Sequence, residues 1–230
     1  MDELFVNSAT IGVVISLLAY QIGMFLRKKT KMDICNPFMI SIILVIAFLL
    51  IFDIDYENYN QSARYLSYLL TPVTVSLAIP LYEKLDLLKK HFGAIIVGIL
   101  AGVLTSLISI LGMSYLFHLS HNEYVTLLPK SITTAIGMGV SEELGGYVSI
   151  TAASIMITGI LGNIIGEFIC KCFRIKHAIS KGLALGTSSH AIGTSKAMEL
   201  GEIEGAMSSL SIVVAGLMTV VLASVFAMFY

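Results

Sequence analysis

The chain has 230 residues and a formal net charge of −1, with 57% hydrophobic residues, 13% charged residues and a mean hydropathy of +0.89. Soluble domains carry about 25% charged residues, so this composition excludes an ordinary soluble fold and points to a polytopic membrane protein. The short basic stretches give no basic face for nucleic acid, and three cysteines (Cys35, Cys170, Cys172) beside basic loops do not suggest a disulfide framework.

A spanning helix needs about 20 apolar residues. Candidates fall at 4–26, 37–53, 63–82, 92–117, 147–170 and 204–229. The first follows the acidic start "MDELF", unlike the basic start of a signal peptide, and is expected to be a retained helix. The loops between the candidates alternate in charge. Eleven of the fourteen Lys and Arg residues lie in 27–33, 83–91 and 171–181, whereas 53–61 and 118–128 hold only acids. The positive-inside rule makes the three basic loops cytoplasmic and puts the N-terminus outside. One net crossing is then allowed between 118–128 and 171–181, and 147–170 supplies it. Residues 129–146 are therefore expected to enter and leave from the outer side. Residues 182–201 are expected to enter and leave from the inner side if the C-terminus ends outside.

These two segments repeat each other. With a shift of 56 residues, Ala135, Ile136, Gly137, Glu143, Leu144 and Gly145 fall on Ala191, Ile192, Gly193, Glu199, Leu200 and Gly201. Six of eleven positions agree, where chance gives about one. The fold expected is all-α and polytopic: about six spanning helices plus two re-entrant or broken-helix segments in an inverted-topology repeat. It is expected as one transmembrane domain over 1–230, with N-terminal helices in 1–60, a first re-entrant segment and helix in 129–170, and an inverted copy in 182–229. Broken backbone at membrane depth survives only where protein or a water-filled cavity covers it.

Both segments are rich in polar groups, and such groups are costly in a bilayer unless they line a pathway. The candidate substrate-binding residues are Lys130, Ser131, Thr133 and Thr134 in the first, and Thr187, Ser188, Ser189, His190, Thr194, Ser195 and Lys196 in the second. Hydroxyls and helix N-termini can hold a carboxylate without a fixed buried charge. His190 suits proton coupling or charge tuning; the other reading is a structural histidine that pins the segment. Lys130 is either an anion contact or a side chain reaching the interface. Glu143 and Glu199 are expected to cap helix ends or pair with lysine. Asn163 is expected to bond between helices, and Gly159, Gly162 and Gly166 to let helices pack closely. Cys170, Cys172 and His177 offer too few ligands for zinc. No Ser-His-Asp or His-Glu-x-x-His pattern suggests an enzyme. No metal or cofactor is expected.

The stretches "LPKSITTAIGMGVSEELGG" (128–146), "TGILGNIIGE" (158–167) and above all "KGLALGTSSHAIGTSKAMELGEIEGAMSSL" (181–210) resemble the LrgB/CidB family of bacterial holin-like and antiholin-like membrane proteins. The family usually has Pro where this chain has Ala135 and Ala where it has Gly137. The resemblance implies two activities in a bacterial plasma membrane. One is transport of small monocarboxylates, pyruvate in bacterial members and glycolate and glycerate in the related plastidal ones. The other is regulation of murein hydrolase activity, membrane permeability and cell lysis with a small LrgA/CidA-type partner. On the polar inverted pair, transport of a small organic carboxylate through a midplane site is the leading expectation, and lysis control is the alternative. The partners expected are the carboxylate, the lipid bilayer, the small membrane protein and further copies of the chain.

Overall fold

The computed structural model describes residues 10–30, 36–69, 72, 75–76 and 78–230. Among these residues every regular element is helical. The chain divides into two compact units, Met1–Ser76 and Leu77–Tyr230, taken separately below.

In the first unit, α1 (Ile11–Thr30) ends on Arg27, Lys28 and Lys29, which suit the negative end of a helix dipole. The second helix, α2 (Pro37–Ile51), starts on an Asn36 side chain that accepts from the Phe38 amide, with Pro at the first helical position. Helices α3 (Tyr56–Ala63) and α4 (Tyr65–Tyr68) follow. Gly12 lets α3 close on α1: its amide donates to Ser62 Oγ at 3.1 Å, while Ser16 Oγ and Tyr59 OH lie 2.7 Å apart.

The second unit holds α5 (Ala78–Glu83), α6 (Leu85–Phe117), α7 (His121–Leu127), α8 (Thr134–Glu143), α9 (Val148–Cys172), α10 (Ala178–Leu200) and α11 (Glu202–Phe226), with a short 3-10 turn at Ala227–Phe229. Helices α6 and α11 run parallel. Lys84 pairs with Glu202 at 3.1 Å where they start, and the Tyr230 hydroxyl donates to the carbonyls of Ser114 and Leu119 where they end. Between them Ile95, Ile99, Val103, Leu107 and Ile110 form a buried stripe at helical spacing, packed in one core with Met207, Ala215 and Ala223.

Two helical hairpins complete this unit. In the first, α7 descends from His121, the chain turns through Leu128–Thr133, and α8 climbs back. Its base is tied by hydroxyls: Thr151 Oγ1 lies 2.6 Å from Ser141 Oγ and 2.9 Å from the Thr126 carbonyl, and the Tyr147 amide donates to Thr126 Oγ1. The turn after α8 needs Gly145, whose φ of +82° falls in the left-handed region.

The second hairpin is α10 itself. Its backbone breaks at Ser189 (φ −137°, ψ 16°) and His190 (φ +42°, ψ −136°). Leu185 before the break packs on Gly166, and Lys196 after it reaches Glu167. Both arms therefore lie along the same half of α9. Asn163 holds the second arm by donating to the Ile192 carbonyl (2.8 Å) and Ser195 Oγ (3.1 Å). A Cβ on Gly159, Gly162 or Gly166 would run into His190, Ser189 or Leu185, so these glycines set the close approach of α9 and α10.

Among the described residues four helical stretches are long and apolar enough to cross a membrane: Ile11–Thr30, Lys89–Phe117, Val148–Cys172 and Glu202–Phe229. The expected span at 37–53 is a 15-residue helix that rises about 22 Å, short of a hydrocarbon core about 30 Å thick. The expected span at 63–82 lies partly outside the described residues; what is described of it is α4, α5 and isolated positions between them. The start of the expected span 4–26 also lies outside them.

The first turn of α7 gives a pH-dependent prediction. The Ser120 amide donates to the Glu123 carboxylate at 2.7 Å and the Ser120 hydroxyl at 2.8 Å, which hold its carboxyl below the usual range. A depressed folded value means the stabilisation is present above the unfolded value of about 4.3 and is lost as pH falls through the folded one. Glu123→Gln is expected to speed amide exchange in this turn at neutral pH, and the difference from the parent is expected to close in acid.

Candidate functional site

A cavity of about 820 Å³ opens between α6, α9 and the first arm of α10. The tips of both hairpins reach it: Lys130 and Ser131 from the first, Thr187, Ser188 and Ser189 from the second. Helix α6 adds Thr105, Ser106 and Ser109, and α9 adds Thr158. Ser106 Oγ and Ser131 Oγ lie 3.0 Å apart, and Ser188 Oγ and Ser189 Oγ also lie 3.0 Å apart. Thr187 is 7% exposed, and its Oγ1 is buried without a hydrogen-bond partner. Such an orphan costs about 1–3 kcal/mol unless a ligand or water satisfies it.

Among the described residues Lys130 is the one cation on this wall, and none of them sets a carboxylate against it there. Its Nζ reaches only Ser131 Oγ, at 3.5 Å. A second cavity of about 170 Å³ lies on the other side of Lys130, lined also by Ser109, Met113, Leu119 and Leu127. Lys130 and Ser109 thus stand where the two spaces meet.

Five of the eleven candidate residues line the main cavity. The other six are used in building the hairpins. Thr133 and Thr134 begin α8. His190 is buried against Gly159 with Nε2 3.0 Å from the Ile155 carbonyl, and only a protonated Nε2 can donate there. Such a contact would pin the segment. Thr194 Oγ1 lies 3.0 Å from the His190 carbonyl and 2.7 Å from Ser208 Oγ. Ser195 donates to the Ile192 carbonyl at 2.7 Å. Lys196 is buried between Glu167 at 3.1 Å and Glu199 at 3.5 Å. Sequence reasoning passed over Thr105, Ser106, Ser109 and Thr158. A stripe of small residues on α6, Ala94, Gly98, Gly102 and Ser106 at four-residue spacing, marked the face that lines the cavity, without singling out Thr105 or Ser109, and Thr158 on α9 had no such signal.

Long apolar helices around a cavity that carries a group of hydroxyls and one lysine define an all-helical, multi-pass membrane protein. The comparison with known proteins agrees. The chain belongs to the LrgB-like family, whose model matches residues 16–229. It is 39% identical over 216 residues to the antiholin-like protein LrgB of Bacillus subtilis (strain 168), covering 94% of each chain. It is 37% identical over 219 residues to the antiholin-like protein LrgB of Bacillus cereus (strain B4264), covering 95% of each. No solved structure matches the chain.

Proposed function

We propose that the chain is an antiholin-like regulator of membrane permeability and cell lysis, acting in a bacterial plasma membrane with a small LrgA/CidA-type partner. The observation that carries this reading is the 39% identity to an antiholin-like protein over nearly the whole of both chains. It displaces carboxylate transport from the leading place that the polar residues alone gave it. The test is reconstitution in liposomes with a small holin-like membrane protein. The chain is expected to lower leakage of size-graded dyes in proportion to its amount. Leakage that ignores its presence overturns the reading.

Transport of a small organic carboxylate is a second reading, favoured by the two cavities that adjoin at Lys130. Together they extend from Leu119 to Ile175, from one end of α6 towards the other. The hairpins add support. The base of the first lies by the end that holds Tyr230, the base of the second by the end that holds Glu202, and their tips share the main cavity. This is the arrangement an inverted pair of re-entrant segments would take. With basic loops inside, Met138→Cys should react with an impermeant thiol reagent from outside and Ala191→Cys from inside. Labelling of both from one face overturns the inverted pair.

A further inference from the structure

We propose that the main cavity takes an amphipathic monoanion: one carboxylate held at Lys130, with an apolar tail of several carbons lying between α6 and α9. The inference rests on the second reading, that the cavity is a carboxylate site, and it names a different substrate class from the short hydroxy and keto acids.

The lining is segregated by polarity. Lys130 reaches Ser131, and Ser131 lies 3.0 Å from Ser106 on α6. One turn back along α6, Gly102 faces Thr187, whose buried Oγ1 has no hydrogen-bond partner among the described residues, and Ser189 lies against Gly162 on α9. Away from Lys130 the wall becomes Ala94, Gly98, Ile165, Ile169, Leu183 and Ala184, with Ser180 the one hydroxyl at that end. A ligand matching this wall needs one charged head and an apolar body. The size agrees. Cavities of about 300–1,000 Å³ hold ligands far larger than a three-carbon acid, and this one is about 820 Å³. A three-carbon acid would leave the apolar half to water, against walls that offer water few partners. The charge agrees as well. Among the described residues one cation and no carboxylate line the cavity, so a second negative charge would be taken from water without compensation.

The experiment is equilibrium binding of a straight-chain series, butyrate to octanoate, to the full chain in lipid nanodiscs, corrected with empty discs. Hexanol and adipate serve as uncharged and doubly charged controls. Affinity is expected to rise about fourfold per added methylene until the cavity is filled. Hexanol and adipate are expected to bind at least about tenfold more weakly than hexanoate. Lys130→Gln should lower hexanoate affinity at least about tenfold and Lys130→Arg should restore it. Ala184→Phe, at an exposed position on the apolar wall, should flatten the chain-length series while butyrate still binds. Variants are compared only after their melting temperatures match the parent. Carboxylates that bind with no gain along the series, or tightest as short polar acids, overturn the inference and leave the carboxylate site standing. No carboxylate binding above empty discs overturns both.

Discussion

Gly186→Leu is expected to destabilise the second unit by at least about 3 kcal/mol. Gly186 sits in the first arm of α10, buried against α11. A Cβ there would overlap the Ser208 carbonyl oxygen and come within 2.8 Å of Ser208 Oγ and Ser211 Cβ. One turn earlier, Gly182 meets the Glu204 carbonyl in the same way. The two helices touch backbone to backbone at both points, so no side chain can swing aside to make room. Dispersion along this seam is available only while both positions stay bare. Gly98→Ala is the control: its Cβ would meet only Leu183 Cδ1, at 3.5 Å. It should change stability by less than about 1 kcal/mol, with helix propensity in its favour. Thermal unfolding of the detergent-purified chain separates the two. A Gly186→Leu protein that melts with the parent would mean that α10 and α11 do not meet as described.

That seam shows which parts of the fold were readable in the letters. Hydropathy located the spans at 92–117, 147–170 and 204–229 within a few residues of Lys89–Phe117, Val148–Cys172 and Glu202–Phe229, because a long apolar run has little choice but a helix. At 37–53 it placed an apolar helix within two residues of Pro37–Ile51. There the helix ends at Ile51 and Asp53 turns the chain at φ +50°, a break that an apolar average does not register.

The repeat was legible as a repeat, and the structure supplies its meaning. Gly137 lies against the carbonyl of Pro129, and Gly193 lies against that of Leu185, each eight residues earlier. The shared glycine therefore marks the same crossing of hairpin arms in both copies. The shared Glu-Leu-Gly marks the stop of the second arm, at Leu144 and Gly145 in one copy and at Leu200 and Gly201 in the other.

The cavity was only half legible. Lys130, Ser131 and Thr187 to Ser189 announced themselves as polar groups in a broken segment. Thr105 and Ser109 did not, because an isolated hydroxyl in a membrane helix bonds its own backbone, as these do to Ala101 and Ser106. His190 drew attention for its chemistry, yet it is spent on the Ile155 carbonyl. Periodicity carries no record of which hydroxyls of α6 two distant hairpin tips will face.

The ion pairs beneath the cavity allow a prediction in which the order of two effects is the test. The Lys196 side chain is 10% exposed, whereas Glu167 is 32% and Glu199 is 45% exposed. Removing the lysine leaves two carboxylates that water reaches, and Glu167 keeps Lys171 at 2.8 Å. Lys196→Met should therefore cost less than about 1 kcal/mol, since the buried stem is replaced by a similar one. Removing Glu167 leaves a buried ammonium with Glu199 alone, at 3.5 Å. Stripping the only partner from a buried ion costs about 3–5 kcal/mol. With Glu199 retained and Glu167 partly solvated, Glu167→Gln should fall below that, at about 1–3 kcal/mol. The pair ties the second arm of α10 to α9, so Glu167→Gln should also raise the reactivity of a cysteine placed at buried Thr194, with Lys196→Met having little effect. Glu167→Gln milder than Lys196→Met in unfolding would show that Lys196 is solvated and that the second arm is not held by this pair.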